Sequence, residues 1–186
     1  MKMKIMLTKK IKLTSLLIAV FCVLSMLSMA TAMPAQGTSN NTDEYRFNMS
    51  YIYFGSTSSY IDAVDNTKDS IGEIAPSYFD LNTDGTLKLT QKIERDFIDE
   101  MHSRGIAVVP FISNHWNYDI GRAALNNRAE LANQIVKAVG DYNLDGVNVD
   151  LENLKERDSN DYTDFVKKLR ENLSSDKVVA VAVAPN

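Results

Sequence analysis

Three polar residues set into a short apolar segment define the chemistry that this chain has to explain. In Leu144–Glu152 (LDGVNVDLE), Asn148, Asp150 and Glu152 alternate with Val147, Val149 and Leu151. Strict alternation marks a β-strand, whose successive side chains point to opposite faces. The three polar side chains therefore share one face, with neighbours roughly 6.5–7 Å apart along the strand. A polar row of this kind is costly to bury unless its members are paired or line a cavity. Crowded carboxylates also push each other's pKa values apart, so that one stays ionised while another holds a proton near neutrality. A general acid needs that proton. Glu152 is the last and most exposed of the three.

The same residues invite a second chemistry. Residues 141–152 match a calcium loop at Asp141, Asn143, Asp145, Gly146 and Glu152, and residues 80–91 half-match it through Asp80, Asn82, Asp84 and Gly85. Val149 offers no side-chain ligand at the ninth position, and Gln91 closes the second stretch without a bidentate carboxylate. Period-two alternation also contradicts a loop that leads into a helix. Residues 80–91 read better as a polar turn at Asp84-Gly85. No metal or cofactor is expected. His115 lacks an obvious metal partner, because His102 falls on a separate helical segment; a hydrogen-bonding or surface role is expected for it.

The elements that must position Glu152 follow from periodicity. Strands are predicted at Asn48–Gly55, Ile71–Leu81 (weakened by Pro76), Ile106–Ser113, Leu144–Glu152 and Lys177–Ala184. Helices are predicted over Thr90–Arg104, after a capping box of Asn127 and Glu130, and over Asp161–Leu173. Alternation of this kind specifies an α/β fold with a parallel sheet, at the pace of a (β/α)₈ TIM barrel. Its rival, a doubly wound open sheet, lacks any Gly-rich phosphate loop here. In a barrel the polar face of the carboxylate strand points inward, and Glu152 lies at the C-terminal end, where catalytic residues sit.

The first 32 residues read as a signal peptide: lysines at 2, 4, 9, 10 and 12, an apolar run from Leu13 to about Met29, then Ala30-Thr31-Ala32. The single cysteine, Cys22, falls inside that run. Residues 33–44 read as a flexible leader and 45–186 as one domain. The whole chain has 20 basic and 24 acidic residues; cleavage removes five lysines and no acids, leaving a net charge of −9. Such a balance disfavours nucleic acid and anionic membrane as partners, and suits a secreted or cell-wall protein without stable membrane association.

Leu144–Glu152 resembles the active-site signature of glycoside hydrolase family 18 at all nine positions. The segments Tyr51–Ser56 (YIYFGS), Pro76–Asn82 (PSYFDLN), Pro110–Trp116 (PFISNHW) and Val179–Ala184 (VAVAVA) are similar to bacterial members, closest to the spore-germination and cell-wall-lytic branch. The resemblance implies a barrel that cleaves β-1,4 links next to N-acetylglucosamine in chitin or peptidoglycan. It implies a retaining mechanism assisted by the substrate itself rather than by two carboxylates. Glu152 would then be the acid/base and Asp150 the residue that orients the acetamido group and stabilises the oxazolinium. Asn148 and Asp145 would support them, Asp145 as a buried structural carboxylate. Two departures stand out. Asn148 occupies a position where the family often has aspartate, and Ser113 is followed by Asn114-His115-Trp116 rather than a glycine pair. That loop is a candidate subsite, with Trp116 and Asn114 as candidate sugar contacts; packing is the competing role for Trp116.

Five strand candidates against the eight of a barrel lead to the expectation of a barrel truncated after about five βα units, inactive as it stands. The missing units would carry the family's tyrosine near the substrate carbonyl and its tryptophan at the cleft floor. A non-hydrolytic, lectin-like barrel protein is the rival of another class, disfavoured because Glu152 is present. A calcium-binding module is the more distant one.

Overall fold

The computed structural model describes residues 47–183. The predicted signal peptide and leader, with Cys22, lie outside them. Among the described residues no helix is long and apolar enough to cross a membrane.

Five parallel strands form the backbone of the fold. β1 (Met49–Ile52) pairs with β2 (Glu73–Pro76), which pairs with β5 (Ala107–Val108). β6 (Phe111–Ser113) pairs with β7 (Gly146–Asp150), which pairs with β8 (Val178–Val181). β5 and β6 are one strand interrupted at Val109-Pro110. Val109 donates to the Ile74 carbonyl at 2.9 Å on one side, and the Pro110 carbonyl accepts from Asn148 at 2.9 Å on the other. The Pro110 carbonyl faces β7, so the N–H that proline lacks would have faced β7 as well, and the ladder on that side misses one rung there. Each of the five predicted segments contributes a strand to this sheet, and the order β1-β2-β5/β6-β7-β8 is that of consecutive βα units.

Helices α1 (Thr57–Asp65), α2 (Arg95–Ser103), α3 (Tyr118–Asn126), α4 (Arg128–Asp141) and α5 (Ser159–Asn172) accompany the sheet. The face of β7 opposite the carboxylates supplies the packing. Val147 and Val149 are fully buried in one cluster with Leu131 and Ile135 of α4 and Phe165 and Leu169 of α5. Each such side chain contributes about 1.5–3 kcal/mol by leaving water. This is the apolar face that the alternation of Leu144–Glu152 predicts. β7 can lie beside β8 only because residue 146 is glycine: a Cβ there would come within 2.1 Å of the Val178 carbonyl oxygen.

Several elements differ from expectation. Ile71–Leu81 is not one strand. After β2 the chain turns at Ser77-Tyr78, and β3 (Phe79–Leu81) pairs antiparallel with β4 (Leu87–Leu89). The Asp84-Gly85 turn is the hairpin tip, with Gly85 at φ 81°. The helix predicted from Thr90 starts at Arg95, because Thr90 is held by the Ser77 and Tyr78 carbonyls. The Asn127–Glu130 capping box does not form. Asn127 also closes α3, at φ −102° and ψ 16°, outside the extended region an N-cap needs. Glu130 instead accepts from Gln134, whose side-chain oxygen takes the Leu87 amide at 2.8 Å. α1 and α3 were not predicted. Residues 141–152 do not wrap as a calcium loop, since 146–150 lie in the sheet.

Candidate active site

The C-terminal ends of the strands converge on an open cleft of about 390 Å³. Tyr51, Tyr53 and Phe111 form one wall, with the Tyr53 and Phe111 rings stacked at 5.7 Å and Tyr51 edge-on to Phe111 at 5.3 Å. Asp150 and Glu152 form the other, with Ser113, His115 and Trp116 between them. The register Ser113↔Asp150 and Phe111↔Asn148 sets these side chains side by side across adjacent strands.

Asn148 is buried, and its side-chain oxygen accepts from the Tyr51 hydroxyl at 3.3 Å. It thus ties β7 to β1. Burial pushes the Tyr51 phenol up, reinforced by the charge of Asp150, so Tyr51 remains a donor. Asp150 is raised above the usual carboxylate range by burial, an effect that His115 opposes. Glu152 is raised as well, by desolvation first and by the charge of Asp150 second. A raised glutamate holds its proton to higher pH than a free one, which is the direction a general acid requires.

If Glu152 is the general acid, the alkaline limb of kcat/KM reports loss of its proton in the free enzyme. Asp150→Asn removes one of the two causes and leaves desolvation, so this limb should move to lower pH in the residual activity of the variant. A limb that stays in place or moves up would dissociate Asp150 from the titration.

His115 bridges the cleft to the β3–β4 hairpin: its ring nitrogens lie 3.1 Å from Asp80 and 3.3 Å from the Tyr53 hydroxyl. It is a hydrogen-bonding histidine, as expected. Burial alone would raise Asp80, but the Leu81 amide, Lys88 and His115 outweigh it and hold the carboxyl below its ordinary range. The sequence offers Asp80 only as part of a half-matched calcium loop, and does not single out the Tyr53–Phe111 pair. Tyr51 and Tyr53 share a face of YIYFG by period two, which is the signal that would have found them.

Trp116 is 64% exposed at the cleft, so it packs into no core among the described residues. It and His115 are in the left-handed region at φ 63° and 49°, and Asn153, directly after Glu152, is at φ 55°. Each such non-glycine residue costs on the order of 1–3 kcal/mol, and strain of this kind clusters at functional sites. Asn114 corrects the sequence reading. It is fully buried and bonded to main chain, so it does not face a sugar. Asp145 corrects it in part. It accepts from the Val108 amide at 2.8 Å and lies 2.7 Å from His102 Nε2, the structural role expected, but its side chain is 29% exposed rather than buried. It stands at the opposite end of β7 from Glu152, beside Lys177.

The chain matches glycosyl hydrolases family 18 over residues 49–186. It belongs to that family. Among solved structures it is similar to the spore cortex-lytic enzyme SleL of Bacillus cereus, with 16% identity, a TM-score of 0.66, and coverage of 75% of this chain and 34% of that one. It is also similar to a chitinase from Chromobacterium violaceum (22% identity, TM-score 0.62, 73% and 45% covered) and one from Bacteroides thetaiotaomicron (19%, 0.59, 74% and 47%). The chain therefore spans between about a third and a half of the length of these structures. At such identities the likeness establishes the fold, the α/β barrel type read from the sequence. Comparison with curated proteins returns no match.

Proposed function

We infer that this family 18 chain contributes the acid-bearing half of a secreted glycosidase acting on N-acetylglucosamine polymers. The observation that carries the reading is Glu152 at the end of β7, facing a cleft, with Asp150 one rung behind it and both carboxyls raised above their ordinary range. Glu152 protonates the glycosidic oxygen. Asp150 holds the substrate acetamido group against the anomeric carbon and stabilises the oxazolinium that forms. Asn148 fixes Tyr51 in the wall, and Trp116 offers an exposed ring on which a sugar stacks. The product keeps the β configuration.

Peptidoglycan is preferred to chitin, on the likeness to SleL, which is itself named as a cortex-lytic enzyme. This half-barrel taken alone is a poor catalyst: in the described residues β1 and β8 are open edges, and Glu152 faces solvent that a closed barrel excludes. Catalysis is therefore measured in a barrel extended by three βα units of a relative. Product analysis on peptidoglycan glycan strands and on chitin oligomers tests the reading. Faster release from peptidoglycan is expected. Tight binding of both without any release would point to the lectin-like alternative, which the exposed Trp116 and the aromatic wall also suit.

A further inference from the structure

The sheet stops two residues short of the acid. Pairing between β6 and β7 ends at Ser113↔Asp150, and pairing between β7 and β8 ends at Val149↔Val181. Glu152 lies beyond both ladders, where a main chain without a partner has no fixed course. At that point the Asn114 side chain takes over. Its Oδ1 accepts the Glu152 N–H at 2.8 Å, and its Nδ2 donates to the Glu152 carbonyl at 2.9 Å. A side-chain amide offers the same donor and acceptor as a peptide group, so Asn114 forms one further rung in place of backbone.

The rung is built in. Asn114 is fully buried, and its Nδ2 also donates to the Asn117 carbonyl at 2.9 Å, while the Asn117 amide donates to the Asn114 carbonyl at 2.9 Å. Between them lie His115 and Trp116 in their left-handed conformations. Asn153 closes the loop from the other side by donating to the Trp116 carbonyl at 2.9 Å. Conformations of this kind persist only where the surroundings over-determine them. The slot has no spare room: a Cβ on Gly121 of α3 would stand 2.7 Å from Asn114 Nδ2.

We propose that Asn114 is a positioning residue that extends the β6–β7 ladder by one rung to fix the Glu152 main chain, and with it the approach of the carboxyl to the glycosidic oxygen. The proposal rests on the reading of Glu152 as general acid and deepens it. It also ties Trp116 to the acid, so that the stacked sugar and the proton donor keep one spacing.

Two variants test it. Asn114→Leu keeps the approximate shape and removes every polar contact. Gly121→Ala leaves Asn114 in place, crowds Nδ2, and favours the helix it lies in. In the ¹⁵N-labelled full chain, amide exchange at Glu152 should accelerate roughly tenfold or more in both, the scale of one lost hydrogen bond, while Val147 and Val149 keep their protection. Unchanged exchange at Glu152, or equal loss along all of β7, would overturn the proposal.

The second readout uses the barrel extended as above. A misplaced acid should cost about 10²-fold in kcat on an N-acetylglucosamine oligosaccharide. A dinitrophenyl glycoside, whose leaving group departs without a proton, should be cleaved nearly as before. Glu152→Gln runs alongside. If it shows no such dependence on the leaving group, the assignment of the acid fails. If it shows the dependence and Asn114→Leu slows both substrates alike, the acid stands and the positioning role falls.

Discussion

Glu152→Gln is expected to lower turnover on an N-acetylglucosamine oligosaccharide by about 10²–10⁴-fold, the usual contribution of general-acid catalysis, with binding retained. Glutamine preserves the size of the side chain and cannot deliver a proton to the leaving oxygen. The contacts from Asn114 go to the main chain of residue 152, so they survive the substitution and keep the loop in place. Binding should persist because the Tyr51, Tyr53, Phe111 and Trp116 rings and the Asp150 carboxyl are untouched. The pair of measurements is kcat by reducing-end release and affinity by calorimetry. Near-normal turnover would take Glu152 out of the mechanism, and a matched loss of affinity would make it a binding residue instead.

A second result of comparable size concerns the substrate. If its own acetamido oxygen is the nucleophile, β-1,4 oligosaccharides of plain glucose should not be cleaved, even where they bind. Asp150 is half-buried and desolvated in the same cleft as His115, a setting for holding an amide N–H and a developing positive charge. Attack by the acetamido oxygen inverts the anomeric carbon once, and water entering with Glu152 as base inverts it again, so the fresh product is the β anomer. NMR of the first product distinguishes the outcomes. An α anomer, or turnover of the glucose oligomer at a rate near that of its acetamido counterpart, would exclude substrate assistance.

The carboxylate strand was legible because its signal is local. Val147, Val149 and Leu151 alternate with the polar three, and one period fixes both the strand and the face on which Glu152 lies. The apolar run Ile106–Ser113 was legible as a strand, though not its division at Pro110, which depends on what lies to each side. α3 was hidden by its composition: Gly121 sits in its middle, it ends on Asn126, and Asn117 and Asn127 flank it with turn formers. α1 begins Thr-Ser-Ser, with only Tyr60 and Val64 to mark a buried face. The role of Asn114 could not be read at all. Its partner is 38 residues away, and an asparagine after a strand looks the same whether it meets a sugar or a peptide group.

The hydrogen bond from Tyr51 to Asn148 joins residues 97 apart in the chain. Every pairing in the main sheet is parallel and separated by a helical connection, so none of the cleft's walls can form from a local hairpin. Closing loops of that size is entropically slow, and topologies rich in distant contacts fold slowly. β6, β7 and α4 lie within about 40 residues of each other and can associate around Val147 and Val149, while β1 and β2 form a pair that is closer still in sequence. The cleft takes one wall from each pair and is complete only once β5 and β6 join them. Destabilisation at that joint is therefore expected to loosen the cleft while the β7 core persists, which amide exchange at Tyr51 against Val147 would measure.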